Sequence, residues 1–350
     1  MAARLRLLPG FSYFIRRIIP LIIVFALALG VTSILIYISG FSPPEVYWGL
    51  LDGGFGSLLR IGLTLNTTTP ILFAGLGLIL MFRCGVWNIG AEGQLYMGAV
   101  GAVIAGLFLT GIPGPLHLLL IAIASFVFGG IWGAIPAILK VKFKTNEIIT
   151  SLMTVFIAWW FIVYAVRFPL HSPTAFIPVS EKIPFTARLP ILPGSPAHAG
   201  ILIALGLAVI VWFSLQRSTF GYRIKAIGIN PDTALYGGIP VGKIMITSGI
   251  LGGGLAGLAG MAQVSGIHYL LADYLSANYG WLAILVVFIG RLEPFRTVLV
   301  AILLGGLLSG SHSVQMSLGI DVTVVHVLVA LIMLSLVLEP VIEKRLERLF

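Results

Sequence analysis

Charged residues are scarce in this chain of 350 residues. They make up 9% of it, whereas soluble domains carry about a quarter. Hydrophobic residues make up 59%. Apolar runs of about 17–25 residues, the length that a membrane-spanning helix needs, recur along the whole chain and leave no room for a soluble catalytic domain. We therefore predict an all-α polytopic membrane protein with a single transmembrane domain over 1–350.

Cysteine is also nearly absent. Cys84 stands alone, which excludes an intramolecular disulfide, and no Cys/His cluster has the spacing of a metal site. The glycine-rich run GILGGGLAGLAG, residues 249–260, lacks the Lys-Ser/Thr pair of a P-loop and lies in an apolar stretch, so it indicates tight helix packing. We find no catalytic dyad or ring of charge, and we expect no metal, cofactor or catalytic residue in this chain.

Ten apolar segments predict ten membrane spans. The first could imitate a secretory signal, since Ala26-Leu27-Ala28 resembles a cleavage site, but its apolar core is too long, and we favour an uncleaved span. Two groups of five spans begin on opposite sides of the membrane, which permits an inverted 5+5 repeat, although the halves share no matching residues. The predicted spans cover 18–38, 58–82, 91–109, 116–139, 147–166, 199–215, 244–263, 278–289, 297–316 and 322–338.

The basic residues indicate how the spans are oriented. Of the 21 lysines and arginines, all but Arg60, Arg167, Lys182 and Arg188 fall on one side, which the positive-inside rule assigns to the cytoplasm. The net charge of +9 thus follows from topology and needs no nucleic-acid partner. We predict a cytoplasmic N-terminus (1–17), an outer loop with seven prolines (167–198), a cytoplasmic loop (217–243) and a cytoplasmic tail (340–350).

A short helix is predicted inside the cytoplasmic loop 217–243. Asn230 can accept from the free N–H groups of a helix start, Pro231 suits the first helical position, and Asp232 favours the positive dipole end. Gly237 and Gly238 then end the turn. A helix of about six residues is unstable alone in water, so something must hold it. A socket on another protein is one possibility, and an ordinary ordered loop is the other.

Polar groups at membrane depth point to a pathway. The segment NIGAEGQ carries Asn88, Glu92 and Gln94, where Asn88 could cap the following helix with Glu92 near its positive dipole end, or all three could line a pathway. Together with Asn66, Thr67 and Asn278, they favour a polar, mostly uncharged lumen. Such a lumen suits a neutral hydroxylated solute better than an ion.

Four further stretches identify a family. NIGAEGQ is preceded by GLGLILMFRCGVW and accompanied by NEIITSLM, GYRIKAIGINPDTALYGGI and YGWLAILVVFIGRLEP. Together they resemble the membrane permease subunits of bacterial ABC importers for branched-chain amino acids, simple sugars and nucleosides, and NIGAEGQ is most similar to the nucleoside-type branch. The resemblance covers most of the chain after about residue 45. One departure is Phe288, which is bulkier than the residue expected before Ile-Gly and bears on packing there.

The resemblance implies a fold, partners and a function. The implied fold has ten helices, like the vitamin B12 importers, in the cytoplasmic membrane of a bacterium or archaeon. The implied partners are ATPase subunits that bind ATP, a second permease that is a homologue of this chain, and a binding lipoprotein or periplasmic protein. The implied solute is a nucleoside or similar neutral ribose-containing compound. The alternatives are an ABC importer permease for a simple sugar or riboflavin and, less favoured, an ion-coupled secondary transporter. The implied ATPase-coupling residues are Asn230, Pro231, Asp232, Ala234, Leu235, Tyr236 and Gly237.

Overall fold

The computed structural model describes residues 26–334 except 28, 322, 324, 325 and 328. The regular elements among these residues are helices, accompanied by three isolated β-bridges. The helices are α1 Leu29–Ile38, α2 Pro43–Phe55, α3 Leu58–Arg83, α4 Ala91–Phe108, α5 Gly114–Phe143, α6 Glu147–Arg167, α7 Gly200–Arg217, α8 Thr219–Ile229, α9 Pro231–Tyr236, α10 Val241–Gln263, α11 Tyr279–Ile289 and α12 Pro294–Leu318.

Seven helices within the described residues are long and apolar enough to cross a membrane. They are α3, α4, α5, α6, α7, α12 and α10 together with the π-helical turn Val264–His268. The helices α1 and α11 are apolar but shorter. The predicted spans 18–38 and 322–338 lie partly outside the described residues. An all-helical, multi-pass architecture is thus confirmed, whereas the count of ten and the inverted repeat stay predictions.

The described residues fall into two compact units, one within 57–306 and the other within 1–56 and 307–350. The second unit has its own small core, in which Ile36, Val46, Leu50, Val314 and Ile320 are buried. The first unit holds α3 to α11 and the residues discussed below. The single transmembrane domain over 1–350 remains a prediction.

In the first unit, α5 and α10 pack with their backbones in contact. A Cβ added to Gly257 of α10 would lie 2.3 Å from the Ser125 carbonyl oxygen, and one added to Gly253 would lie 2.5 Å from the Gly129 carbonyl oxygen. Real Cβ atoms do not come this close, so these positions require glycine. The packing interpretation of the run 249–260 is confirmed.

The helix α3 continues through Pro70 without a break. Proline lacks an N–H and so frees the carbonyl one turn earlier, which normally kinks a helix. Here the helix remains regular from Leu58 to Arg83. The hydroxyls of Thr68 and Thr69 donate to carbonyls one turn back, both at 2.7 Å, and Pro70 itself is buried among neighbouring helices. Tertiary packing therefore maintains the helix.

The proline-rich segment 168–199 is irregular, as predicted, apart from the 3₁₀ turn Phe185–Ala187. Its backbone is tied to the end of α10 and the residues after it. Leu189 N–H donates to the Ser265 carbonyl at 2.8 Å, and Ser180 N–H donates to the Leu271 carbonyl at 3.0 Å. The span predicted to end at residue 263 is longer than expected, because the π-helical turn prolongs α10 to His268 and the irregular chain starts at Tyr269.

Candidate functional site

The short helix α9 forms where the sequence predicts it, from Pro231 to Tyr236. The Asn230 side-chain oxygen accepts from the backbone N–H groups of Asp232 at 2.9 Å and Thr233 at 3.0 Å. These two bonds satisfy donors that a helix start leaves free. Gly238 follows with a φ of +78°, a left-handed conformation that glycine adopts without strain.

A neighbouring helix, α8, positions α9. Its start is capped by Ser218, whose hydroxyl accepts from Gly221 N–H at 3.1 Å. Near its end, Gly228 lies so close to α3 that an added Cβ would be 2.1 Å from the Arg83 carbonyl oxygen. We did not predict α8 from the sequence. A signal for it is present, because Ser218 can cap a helix and the apolar residues Ile224 and Ile227, which are buried in the structure, lie three positions apart. Through this contact α9 is fixed relative to the transmembrane helices.

The surface around α9 exposes large apolar side chains, although the loop 217–243 is otherwise polar. Ala234 faces inwards and is buried, whereas the exposed fractions are 61% for Leu235, 95% for Tyr236 and 87% for Ile229 at the end of α8. Large apolar side chains that project together from a fixed element are typical of a contact with another protein. We name the set Ile229, Leu235 and Tyr236 the α9 patch.

Two predicted pathway residues use their polar atoms in hydrogen bonds within the protein. The Asn66 amide donates to the Pro196 carbonyl at 2.9 Å and accepts from His198 N–H at 3.0 Å, so it connects α3 to the proline-rich segment 168–199. The Thr67 hydroxyl donates to the Leu63 carbonyl at 3.2 Å. Both remain pathway predictions.

Two further candidates, Asn88 and Gln94, are fully buried. The residue at the cap position of α4 is Gly90 rather than Asn88, whose side-chain oxygen accepts from Gly90 N–H at 2.9 Å. The capping interpretation of Asn88 is therefore wrong in its geometry. The Asn88 Nδ2 atom and both amide atoms of Gln94 have no hydrogen-bond partner among the described residues. Buried polar atoms of this kind usually bind a partner such as water or a ligand.

The structure brings Glu92 and the Asn278 region together. Glu92 lies in the first turn of α4, and its Oε2 atom accepts from Gly280 N–H in the first turn of α11 at 2.7 Å. A single residue separates Gly280 from Asn278, which is exposed and has a left-handed backbone. Glu92 and Gly280 are 188 positions apart in the sequence, so local sequence patterns do not predict this contact.

Phe288 belongs to an aromatic stack. Its ring lies 5.4 Å from that of Phe82 and 6.1 Å from that of Trp87, with interplanar angles of 21° and 17°. The large side chain that departs from the family pattern therefore packs against two other rings, which also contact each other. Stacked pairs of this kind contribute about 0.5–1.5 kcal/mol beyond the burial of their area.

Within the described residues, no group of three or more His, Cys, Asp or Glu side chains could hold a metal ion. That the chain binds no metal stays an expectation from its sequence.

His198, just before α7, is expected to make the stability of the proline-rich segment 168–199 sensitive to acid. Its Nδ1 atom accepts from Gly200 N–H at 3.1 Å, and burial lowers the pKa of His198 to about 4. The unfolded chain takes up a proton near the ordinary histidine pKa of about 6.5, whereas the folded chain stays neutral there until about pH 4. The free energy of unfolding should therefore fall as the pH falls from 6.5 to 4.

We expect His198→Asn to remove this part of the acid sensitivity, because asparagine can accept from Gly200 N–H but does not titrate. Melting temperatures of the purified chain between pH 7 and pH 4 measure the effect. His171→Asn, at an exposed histidine of the same segment, is the control. Equal acid sensitivity in His198→Asn and the unchanged protein would contradict the assignment.

Comparison with known proteins places these features in a family. The family model described as branched-chain amino acid transport system / permease component matches residues 60–338. The chain belongs to this family. Its resemblance to ABC importer permeases is thereby confirmed. No solved structure matches the chain significantly.

Three relatives of this permease are informative. The guanosine ABC transporter permease protein NupP of Bacillus subtilis is 35% identical over 91% of this chain and 92% of its own length. The nucleoside ABC transporter permease protein NupB of Lactococcus lactis is 29% identical over 95% of this chain and 93% of its own length. The glucose ABC transporter permease protein TsgB13 of Haloferax volcanii is 29% identical over 91% of this chain and 86% of its own length.

Proposed function

We propose that this permease forms the membrane pathway of an ABC importer for nucleosides. The observation that carries the proposal is the 35% identity to a guanosine permease along nearly the whole length of both chains. The neutral polar side chains at membrane depth agree with it, since amides and hydroxyls can pair with ribose and base edges without a charge.

The α9 patch is the proposed contact with the ATPase. A separate ATPase must bind and hydrolyse the ATP, and α9 would dock into a groove on it, with Leu235 and Tyr236 as the apolar anchor. The distribution of basic residues supports this proposal, because the positive-inside rule predicts a cytoplasmic location for 217–243 and for both ends of the chain. A binding lipoprotein or periplasmic protein would deliver the solute to the outer side.

The permease is proposed to work as a pair. One chain supplies one α9, whereas ABC ATPases work as dimers, so two permease chains are needed. We propose a homologue rather than a second copy as the partner, following the nucleoside-type resemblance. Alternating access would then move the two permeases relative to each other as the ATPases close.

A sugar importer is the second candidate, because the glucose permease TsgB13 is also similar over most of its length. We expect vesicles that contain the complete system, with its ATPase, second permease and binding protein, to take up labelled guanosine and uridine. Uptake of labelled ribose and glucose is measured in the same vesicles. Transport of ribose or glucose without nucleosides would move the assignment to the sugar branch.

A further inference from the structure

The chain between α10 and α11 enters the membrane without forming a helix. The helix α10 and its π-helical turn contain 28 residues and are about 42 Å long, enough to cross the whole hydrocarbon layer. By contrast, α11 has 11 residues and is about 16 Å long, roughly half of that layer. Since Arg83 at the inner end of α3 donates to the Leu292 carbonyl just after α11, the start of α11 lies inside the membrane.

The irregular segment 269–278 must therefore descend from the outer end of α10 to that depth. Its first residues are bonded to the outer segment, where Ile183 N–H donates to the Tyr269 carbonyl at 2.8 Å. Irregular backbone at membrane depth is tolerated only where protein covers it or where it lines a water-filled cavity. Leu271 and Leu275 are buried, whereas Tyr274 and Asn278 are exposed, so one side of the segment is open.

Glu92 meets the lower end of this segment. Its carboxylate, in a residue that is 2% exposed, accepts from Gly280 N–H and makes no ion pair with a basic residue of the described part of the chain. The positive ends of α4 and α11 both lie at this carboxylate, and each is equivalent to about half a charge. Together they balance one negative charge, so the place is close to neutral without a cation.

One acceptor at this place is unused. The Oε1 atom of Glu92 has no hydrogen-bond partner among the described residues. The hydroxyls of Tyr96 and Ser276 lie near enough to interact with the carboxylate. The Ser276 oxygen already accepts from Tyr279 N–H at 3.3 Å, which leaves its own proton free to donate. The site thus offers a buried acceptor beside two hydroxyls.

We infer that Glu92 Oε1, with Ser276 and Asn278, binds the ribose hydroxyls of the solute where segment 269–278 meets α11. This inference rests on the proposed nucleoside transport. An uncharged hydroxyl donor suits a carboxylate whose charge the two helix ends already balance. An anionic solute such as a nucleotide would leave an unbalanced negative charge in this buried site, and a cationic one would leave an excess of positive charge.

The variant Glu92→Gln separates a solute role from a structural one. Its amide oxygen can still accept from Gly280 N–H, while its NH₂ group replaces Oε1 and turns the acceptor into a donor. In vesicles with the complete system, we expect uridine uptake at low concentration to fall about 10- to 100-fold, the effect of one lost bond to a charged group. Glu45→Gln, at an exposed acid in the first turn of α2, should leave uptake unchanged.

A second readout concerns selectivity. The unchanged permease should prefer uridine to 2′,3′-dideoxyuridine, and Glu92→Gln should lose most of this preference, which a purely structural role would not change. Ser276→Ala removes one hydroxyl and no charge, so it should lower the preference for uridine in part. It replaces Glu92→Gln as the test if that variant does not reach the membrane. The inference would be overturned if Glu92→Gln kept the normal uridine uptake rate and the normal preference for uridine over 2′,3′-dideoxyuridine. If only Ser276→Ala reaches the membrane, the same result in that variant would overturn it. If the unchanged system transports no nucleoside, the proposed function fails, and this inference fails with it.

Discussion

Leu235→Asp in the α9 patch is expected to abolish uptake and to release the ATPase. The side chain is 61% exposed in the isolated chain, so the change does not disturb the permease itself. In the docked complex the new carboxylate would be buried against an apolar groove without a partner, at a cost on the order of several kcal/mol. Co-purification of the ATPase should therefore fall more than 10-fold, while the amount of permease in the membrane stays normal.

The control for this variant is Ser57→Asp at the start of α3. Ser57 is exposed, and its side chain caps the helix by accepting from Arg60 N–H, a role that aspartate also fulfils. Ser57→Asp should keep both ATPase binding and uptake. If Leu235→Asp also kept both, the stretch 217–243 would be an ordinary loop, the alternative that its sequence leaves open.

Gly257→Val is expected to prevent correct folding. The first added carbon would lie 2.3 Å from the Ser125 carbonyl oxygen and 3.0 Å from the Gly129 Cα, and neither backbone atom can move away alone. The helices α5 and α10 would have to separate, at a cost of about 3 kcal/mol or more, the upper part of the range for overpacked cores. Size-exclusion chromatography of a fluorescent fusion should show at least a 10-fold loss of monodisperse protein.

Gly206→Val provides the matched control, since it makes the same change inside the membrane helix α7. A Cβ at Gly206 meets no atom within 4 Å in the described structure, so valine fits there. We expect near-normal levels of this variant. Similar losses for both variants would mean that valine harms these helices through its backbone preference, not through the contact between α5 and α10.

The features that the sequence predicts best depend on neighbours along the chain. Asn230, Pro231 and Gly238 determine the start and end of α9 through bonds within one turn, and the predicted bounds match the structure. The glycine run 249–260 likewise indicates close packing, because only glycine allows backbones to touch. The helix α8 was not predicted in this way, because Ile224 and Ile227 are its only buried large apolar residues and the residues around them are mostly polar or small.

Contacts between distant residues could not be predicted. Nothing in NIGAEGQ indicates that Glu92 would accept from Gly280, because that pairing depends on how α4 and α11 meet. Asn66 similarly reads as a lumen residue, yet its amide is bonded to Pro196 and His198. In both cases polarity marks the residue as important, and only the three-dimensional packing shows which group it contacts.

The contact between α5 and α10 also has a mechanical consequence. Helices that slide past each other do so by small shifts of the side chains between them, and here Gly253 and Gly257 leave no such layer. Because the two backbones contact each other directly, α5 and α10 resist sliding and form a rigid pair of helices within the permease. We expect any hinge for the transport cycle to lie outside this pair of helices, and the segments 84–90 and 269–278 are irregular backbone within the same unit.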